Sequence, residues 1–206
     1  MSAASSSHAD ALAVLRAWTP PTPEQAQLRE RYVALLERRH DAMSRDCRPD
    51  HLTASTLVLD ESAERVLLTL HAKSGRWFQL GGHVEPGDST LAGAALREAL
   101  EESGLTAGDL VLDPTPVVLD AHDVPFCWPG EGVQHLDVMF VARARAGADH
   151  VLSQESLDLA WWPVDSLPNA ELTPFVALAG GALAAGQASL SLEGGSTSAP
   201  ADHPSR

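Results

Sequence analysis

Cysteine is scarce in this chain. Cys47 and Cys127 are the only two among 206 residues, and they have neither metal-type spacing nor the number needed for a disulfide framework. Two ordinary thiols are a simpler expectation than one bridge, and with them a reducing compartment, the cytoplasm. No apolar run approaches the length of a membrane span, so no membrane partner is expected. The opening residues MSAASSSHADALAV lack a basic n-region and a continuous apolar stretch, and no secretory signal is read there. Positive charge is also short: 14 Lys and Arg stand against 28 Asp and Glu, for a formal net charge of -14. With no basic stripe, such a chain is not expected to hold a nucleic-acid polymer by neutralising phosphates. It would equally repel a small phosphorylated substrate unless cations sat between them.

The chain does carry a helical start, a strand-rich middle and a polar end. Residues 1–8 read as a loose terminus and Ala9–Trp18 as a short helix. In TPPTPEQAQLRERYVALLERRHDAM, Thr22 is placed to cap a helix, Pro23 fits its first position, and Gln25 completes a capping-box pattern. Leu28, Tyr32, Leu35 and Leu36 recur on one face, which either packs on the domain or forms a homodimer contact. From His51 the pattern becomes strands: HLTASTLVLD, RVLLTLHA, RWFQL, LVLDPTPVVLDAH, VQHLDVMFVARARA and DLAWWPVDSLP. Between them lie a Gly81–Gly82 loop, a Pro86–Gly87 turn and a helix from about Thr90 to Ser103, with Gly104 at its stop. LTPFVALAGGALAAGQ is a helix candidate weakened by Gly180 and Gly181, and residues 188–206 read as disordered. The expected organisation is an N-terminal helical extension over 1–48, a domain over 49–187 and a tail. The expected class is α+β, with helices around a mixed sheet.

The helix after the glycines holds an apparent contradiction. Glu98, Glu101 and Glu102 share one side, where like charges at i,i+3 and i,i+4 destabilise by a few tenths of a kcal/mol per pair. Solvent can absorb that cost, and a solvated glutamate face is the plain reading of an isolated EALEE. The context favours a cation. The turn before the helix adds Glu85 and Asp88, and Gly81 and Gly82 allow backbone to approach a ligand closely. Arg97 lies four residues before Glu101 and can orient it. Convergent carboxylates are hard oxygen ligands that suit Mg²⁺ or Mn²⁺ better than Zn²⁺, which would favour His or Cys.

Taken together, Gly82, Glu85, Gly87 and Asp88, then Arg97–Glu98, Glu101–Glu102 and Gly104–Leu105, resemble the signature box of the Nudix hydrolases. Many fixed residue types in about two dozen positions make chance a poor explanation. The sequence departs from the usual pattern: Asp88 replaces a glutamate, eight residues rather than seven precede Arg97, Ala99 is small, and Leu80 replaces a common proline. The likeness runs from about His51 to Pro168. It implies an α/β/α sandwich around a mixed sheet and Mg²⁺- or Mn²⁺-dependent hydrolysis of a nucleoside diphosphate linked to another group. It implies Glu98, Glu101 and Glu102 as metal ligands, a carbonyl of Gly81 or Gly82 as a further one, and Arg97 as their orienter. A catalytically silent nucleotide-binding sensor and an isopentenyl diphosphate isomerase-like enzyme are the alternatives on the same fold.

The remaining candidates follow from position. A general base in this family often comes from a loop outside the box. Glu155, before the last strand, is the first choice for it and Glu131 a weaker one. His83 follows the double glycine and faces the expected site as a candidate for contact with substrate or phosphate; His135 and Asp137 alternate along one strand and share a face, as candidates to line the substrate pocket. Trp77, Phe126 and Trp128 sit beside loops as candidates for stacking on a nucleobase, whereas Trp161 and Trp162 belong to a strand, at least one of them as core. The only tyrosine, Tyr32, precedes the box, so the downstream tyrosine associated with diadenosine polyphosphate hydrolases is missing, as is the downstream motif of NADH pyrophosphatases.

Overall fold

The computed structural model describes residues 3–72, 74–124, 127, 132–148 and 156–193. Two helices, α1 (Ala3–Ala17) and α2 (Pro23–Arg38), precede strands β1 (His51–Leu59), β2 (Arg65–His71), β3 (Trp77–Phe78) and β4 (Leu80–His83). Helix α3 (Leu91–Ser103) follows, then β5 (Leu110–Asp123), β6 (Gln134–Ala144), β7 (Ser156–Pro163) and helix α4 (Thr173–Glu193), entered through a short 3₁₀ turn at Ala170–Leu172. The strands form one seven-stranded sheet in the order β3-β2-β1-β6-β5, with β4 paired to β1 and β7 to β2. Only β1 and β6 run parallel, so the sheet is mixed.

Strand β1 shows why helices cover both faces. It alternates in sequence, yet all nine residues are buried. Leu52 and Ala54 face one layer, in a cluster with Leu15 of α1, Tyr32 and Leu36 of α2, and Leu91 and Ala95 of α3. Leu57 and Leu59 face the other, against Val176 and Ala179 of α4. Fully burying each such leucine contributes roughly 1.5–3 kcal/mol. The lower half of that second face, where Thr53 and Ser55 lie, is left for the site. The result is the expected α/β/α sandwich.

The N-terminal helices are part of this core. Thr22 caps α2 by accepting from the Gln25 amide at 3.3 Å. The Gln25 side chain does not close a capping box. It pairs instead with the outer edge of β5, donating to Leu119 O at 2.8 Å and accepting from Leu119 N at 2.7 Å. Tyr32 Oη donates to Asp120 O at 2.8 Å. The apolar face of α2 is thereby committed to this chain's own sheet. Helix α1 begins at Ala3, within the stretch expected to be loose, and its Asp10 accepts from the Leu91 amide at 2.8 Å, helping to cap α3.

Two further expectations change. Gly81 and Gly82 read as a loop but lie in β4, where pairing with Ser55 and Ala54 of β1 outweighs their weak strand propensity. Gly180 and Gly181 do not interrupt α4, which runs to Glu193, past the expected start of the tail at residue 188. Among the described residues, no helix is long and apolar enough to cross a membrane.

Candidate active site

Helix α3 is held at both ends. Thr90 accepts from the Gly93 amide at 3.0 Å, and Gly104 stops the helix at φ 65°, a conformation that favours glycine. This register lays the glutamate side of α3 against β4. The Gly81 amide donates to Glu102 Oε2 at 2.9 Å. A Cβ on Gly82 would lie 2.7 Å from Glu98 Oε1, so the missing side chain is what lets that carboxylate rest on the strand. A Cβ on Gly81 would instead meet β1, 2.4 Å from Ser55 Cβ.

Arg97 is the cation among these acids. Its Nε and Nη2 donate to the two Asp88 oxygens at 3.1 and 3.0 Å, and Nη2 also donates to His83 O at 2.9 Å. Its Nη1 donates to Glu98 Oε1 at 3.1 Å and Glu101 Oε2 at 2.9 Å. The bond to Asp88, and then the neighbouring acids, hold the guanidinium charged above its ordinary range against some burial. Asp88, the aspartate at the irregular position of the box, therefore anchors Arg97, and it also accepts from the Glu85 amide at 2.8 Å. Burial raises the pKa of Glu98, with Arg97 pulling the other way. Arg97 thus bonds two of the three glutamates of this helix side, Glu98 and Glu101.

These residues border a cleft of about 1610 Å³. Its floor is Asp137, fully buried, which accepts from Thr53 Oγ1 at 2.9 Å, Ser55 Oγ at 2.5 Å and Gln79 Nε2 at 3.3 Å. Burial raises its pKa, and the Ser55 hydroxyl offsets this only in part. Beside it, burial and then the nearby imidazoles of His83, His51 and His122 depress His135 to about 2. His122 moves upward: burial opposes its charge, but the bond to Asp120 at 2.8 Å and the adjacent acids prevail.

A family model described as the NUDIX domain matches residues 49–179. The chain belongs to the NUDIX family. Among solved structures, an Ap4A hydrolase from C. elegans, a binary complex, superposes with a TM-score of 0.55 at 20% identity, covering 65% of this chain and 98% of that one. A NUDIX-family hydrolase from Clostridium perfringens gives 0.49 at 25% identity, covering 65% and 95%, and the MutT protein from Methanosarcina mazei Go1 gives 0.49 at 21%, covering 63% and 91%. The first of these supports the fold; none assigns a substrate. No curated protein matches the sequence.

Within this NUDIX domain the structure gathers most of the sequence candidates. Gly81, Gly82, His83, Arg97, Glu98, Glu101, Glu102, His135 and Asp137 all border the cleft. Trp77 does not. Its ring packs edge-on against Trp162, centroids 5.3 Å apart, in the cluster under α4. Adjacent residues of a strand point to opposite faces, so it is Phe78 that borders the cleft, with the Arg76 guanidinium 5.8 Å from its ring centroid. Glu155, Glu131, Phe126 and Trp128 lie outside the described residues. Sequence reasoning missed Phe78, Gln79 and His122; strand alternation from Trp77 was the available signal for the first.

Proposed function

We propose that this NUDIX chain is a pyrophosphohydrolase that uses Mg²⁺, or Mn²⁺, to cleave the phosphoanhydride of a nucleoside diphosphate linked to a nucleotide, sugar or second nucleoside. The observation that carries this reading is the glutamate side of α3 laid on the side-chain-free strand β4 at the edge of an open cleft. The donor set fits the metal: Glu98, Glu101 and Glu102 supply hard oxygens, and a carbonyl of Gly81 or Gly82 can add another. A divalent cation held there supplies Lewis-acid charge neutralisation at the phosphate oxygens. Arg97 keeps two of the glutamates in register while itself fixed by Asp88. Glu155 is the proposed general base toward the attacking water. Tyr32 is buried against β5 and takes no part in the cleft.

A panel of nucleoside triphosphates, nucleotide sugars and dinucleotides, assayed with Mg²⁺ and a coupled phosphatase, tests the reading. Phosphate release from at least one class is the expected result. Binding with no release from any member would point to a silent sensor, and release confined to none of the nucleotides alongside turnover of an isoprenoid diphosphate would point to the isomerase-like alternative.

Phe78 is proposed as the nucleobase platform. Base–aromatic stacking contributes about 1–3 kcal/mol, so Phe78→Ala is expected to raise KM roughly 5- to 150-fold with kcat little changed. Trp77→Ala should lower the Tm and leave KM alone. Steady-state kinetics and thermal melts on both variants check the assignment; an unmoved KM in Phe78→Ala removes it.

A further inference from the structure

Where His83 and His135 border the cleft, three histidines and a cysteine meet. One ligand atom from each of His51, His83, Cys127 and His135 lies within 4.8 Å of all the others. The sheet register brings them together: His51 of β1 is the parallel partner of His135 on β6, and His83 of β4 pairs with Thr53, two residues along β1. Cys127 comes from the connection between β5 and β6, its amide donating to Val124 O at 3.1 Å. We infer that these four residues form a second metal site, separate from the glutamates and suited to Zn²⁺.

The distances fit. Cys127 Sγ lies 3.2 Å from His135 Nε2 and 3.7 Å from His83 Nε2. Bond lengths of about 2.0–2.1 Å to nitrogen and about 2.3 Å to sulfur give an N···S edge of about 3.6 Å in a tetrahedral site. The second observation is His51. Its Nδ1 is bonded to Cys47 O at 3.3 Å, the outer contact that typically orients a metal-binding imidazole. Among the described residues its Nε2 is buried with no hydrogen-bond partner, an unfavourable state for a polar atom unless something fills it.

The donors decide the ion. One thiolate and three imidazoles suit Zn²⁺ and not Mg²⁺, whereas the carboxylates of α3 suit Mg²⁺. Four protein ligands close the coordination sphere, which is the pattern of a structural rather than a catalytic zinc. The ion would fasten Cys127 to β1, β4 and β6. Because the His83 carbonyl also accepts from Arg97, that staple would steady the glycine strand on which Glu98 and Glu102 rest.

The test uses the full chain, stripped with chelator and reloaded. Wild type should retain one equivalent of Zn²⁺ through gel filtration, and Co²⁺ should give a tetrahedral visible spectrum with a near-ultraviolet thiolate band. Cys127→Ser should lose that band and weaken Zn²⁺ affinity by more than ~10²-fold, beyond the range for outer partners. His51→Ala should also weaken affinity, while Glu102→Gln should bind Zn²⁺ as wild type does. A variant-free arm guards against misfolding: Zn²⁺, but not Mg²⁺, should block alkylation of Cys127 in the native protein. Absence of a thiolate band in wild type, unchanged Zn²⁺ affinity in Cys127→Ser, or alkylation indifferent to Zn²⁺ would each overturn the inference. None of these readouts depends on hydrolysis, so their failure leaves the proposed activity standing.

Discussion

Glu102→Gln is expected to lower turnover by about 10²-fold or more, the scale on which a single charged contact to a developing transition state acts. The substitution is chosen for what it leaves intact. Glutamine keeps the length of the side chain, and its carbonyl oxygen can still accept from the Gly81 amide, so the bond that ties α3 to β4 survives. What disappears is one negative charge in a set that Arg97 alone does not balance. Two measurements locate the effect. Without divalent cation the Tm should hold or rise slightly, because like charges on one helix side are relieved. With Mg²⁺ the midpoint of activation should move to higher concentration, and EDTA should abolish turnover in wild type until Mg²⁺ or Mn²⁺ is restored. Wild-type kcat in Glu102→Gln at limiting Mg²⁺ would remove Glu102 from the ligand set, and full activity in EDTA would end the metal-dependent reading altogether.

The two neighbouring glycines should fail in opposite ways. In Gly82→Ala the three atoms nearest the new methyl all belong to the Glu98 carboxylate, the far end of a flexible side chain. The chain can fold by moving that carboxylate, so the Tm should change little. Activity should not survive as well, since a displacement of about 1 Å in a positioned group can cost ~10²-fold. In Gly81→Ala the methyl meets the β1 backbone, 2.6 Å from Ser55 Cα and 2.8 Å from Ala54 O. Nothing flexible can yield there, and β4 must shift from β1. Overpacking of this kind costs about 1–3 kcal/mol, which in a chain of this size lowers the Tm by roughly 2–12 °C. Paired melts and kinetics separate the outcomes. A Gly82→Ala protein with normal kcat would mean that Glu98 need not lie on the strand.

The sequence alone determined what depends on local spacing. Glu98, Glu101 and Glu102 share a side because a helix repeats every 3.6 residues, and Arg97 reaches Glu101 because it lies one turn away. Thr22, Thr90 and Gly104 mark helix ends through backbone groups within a few residues. Tertiary structure decided whatever depends on which strand lies next to which. The same two glycines that read as a loop become a strand only when β1 is present to pair with them. Asp88 could be judged in sequence only as an irregular member of the box; its use is to hold Arg97, nine residues on. Trp77 and Phe78 differ by one position, and only the placement of α4 says which of their faces is core. Gln25 looked like a local cap until the open edge of β5, 94 residues away, offered its amide and carbonyl. The histidine–cysteine cluster is the extreme case. Its four members come from β1, β4, β6 and the β5–β6 connection, so no spacing along the chain encodes them; sheet register and chain reversal alone bring their ring nitrogens and sulfur within 4.8 Å.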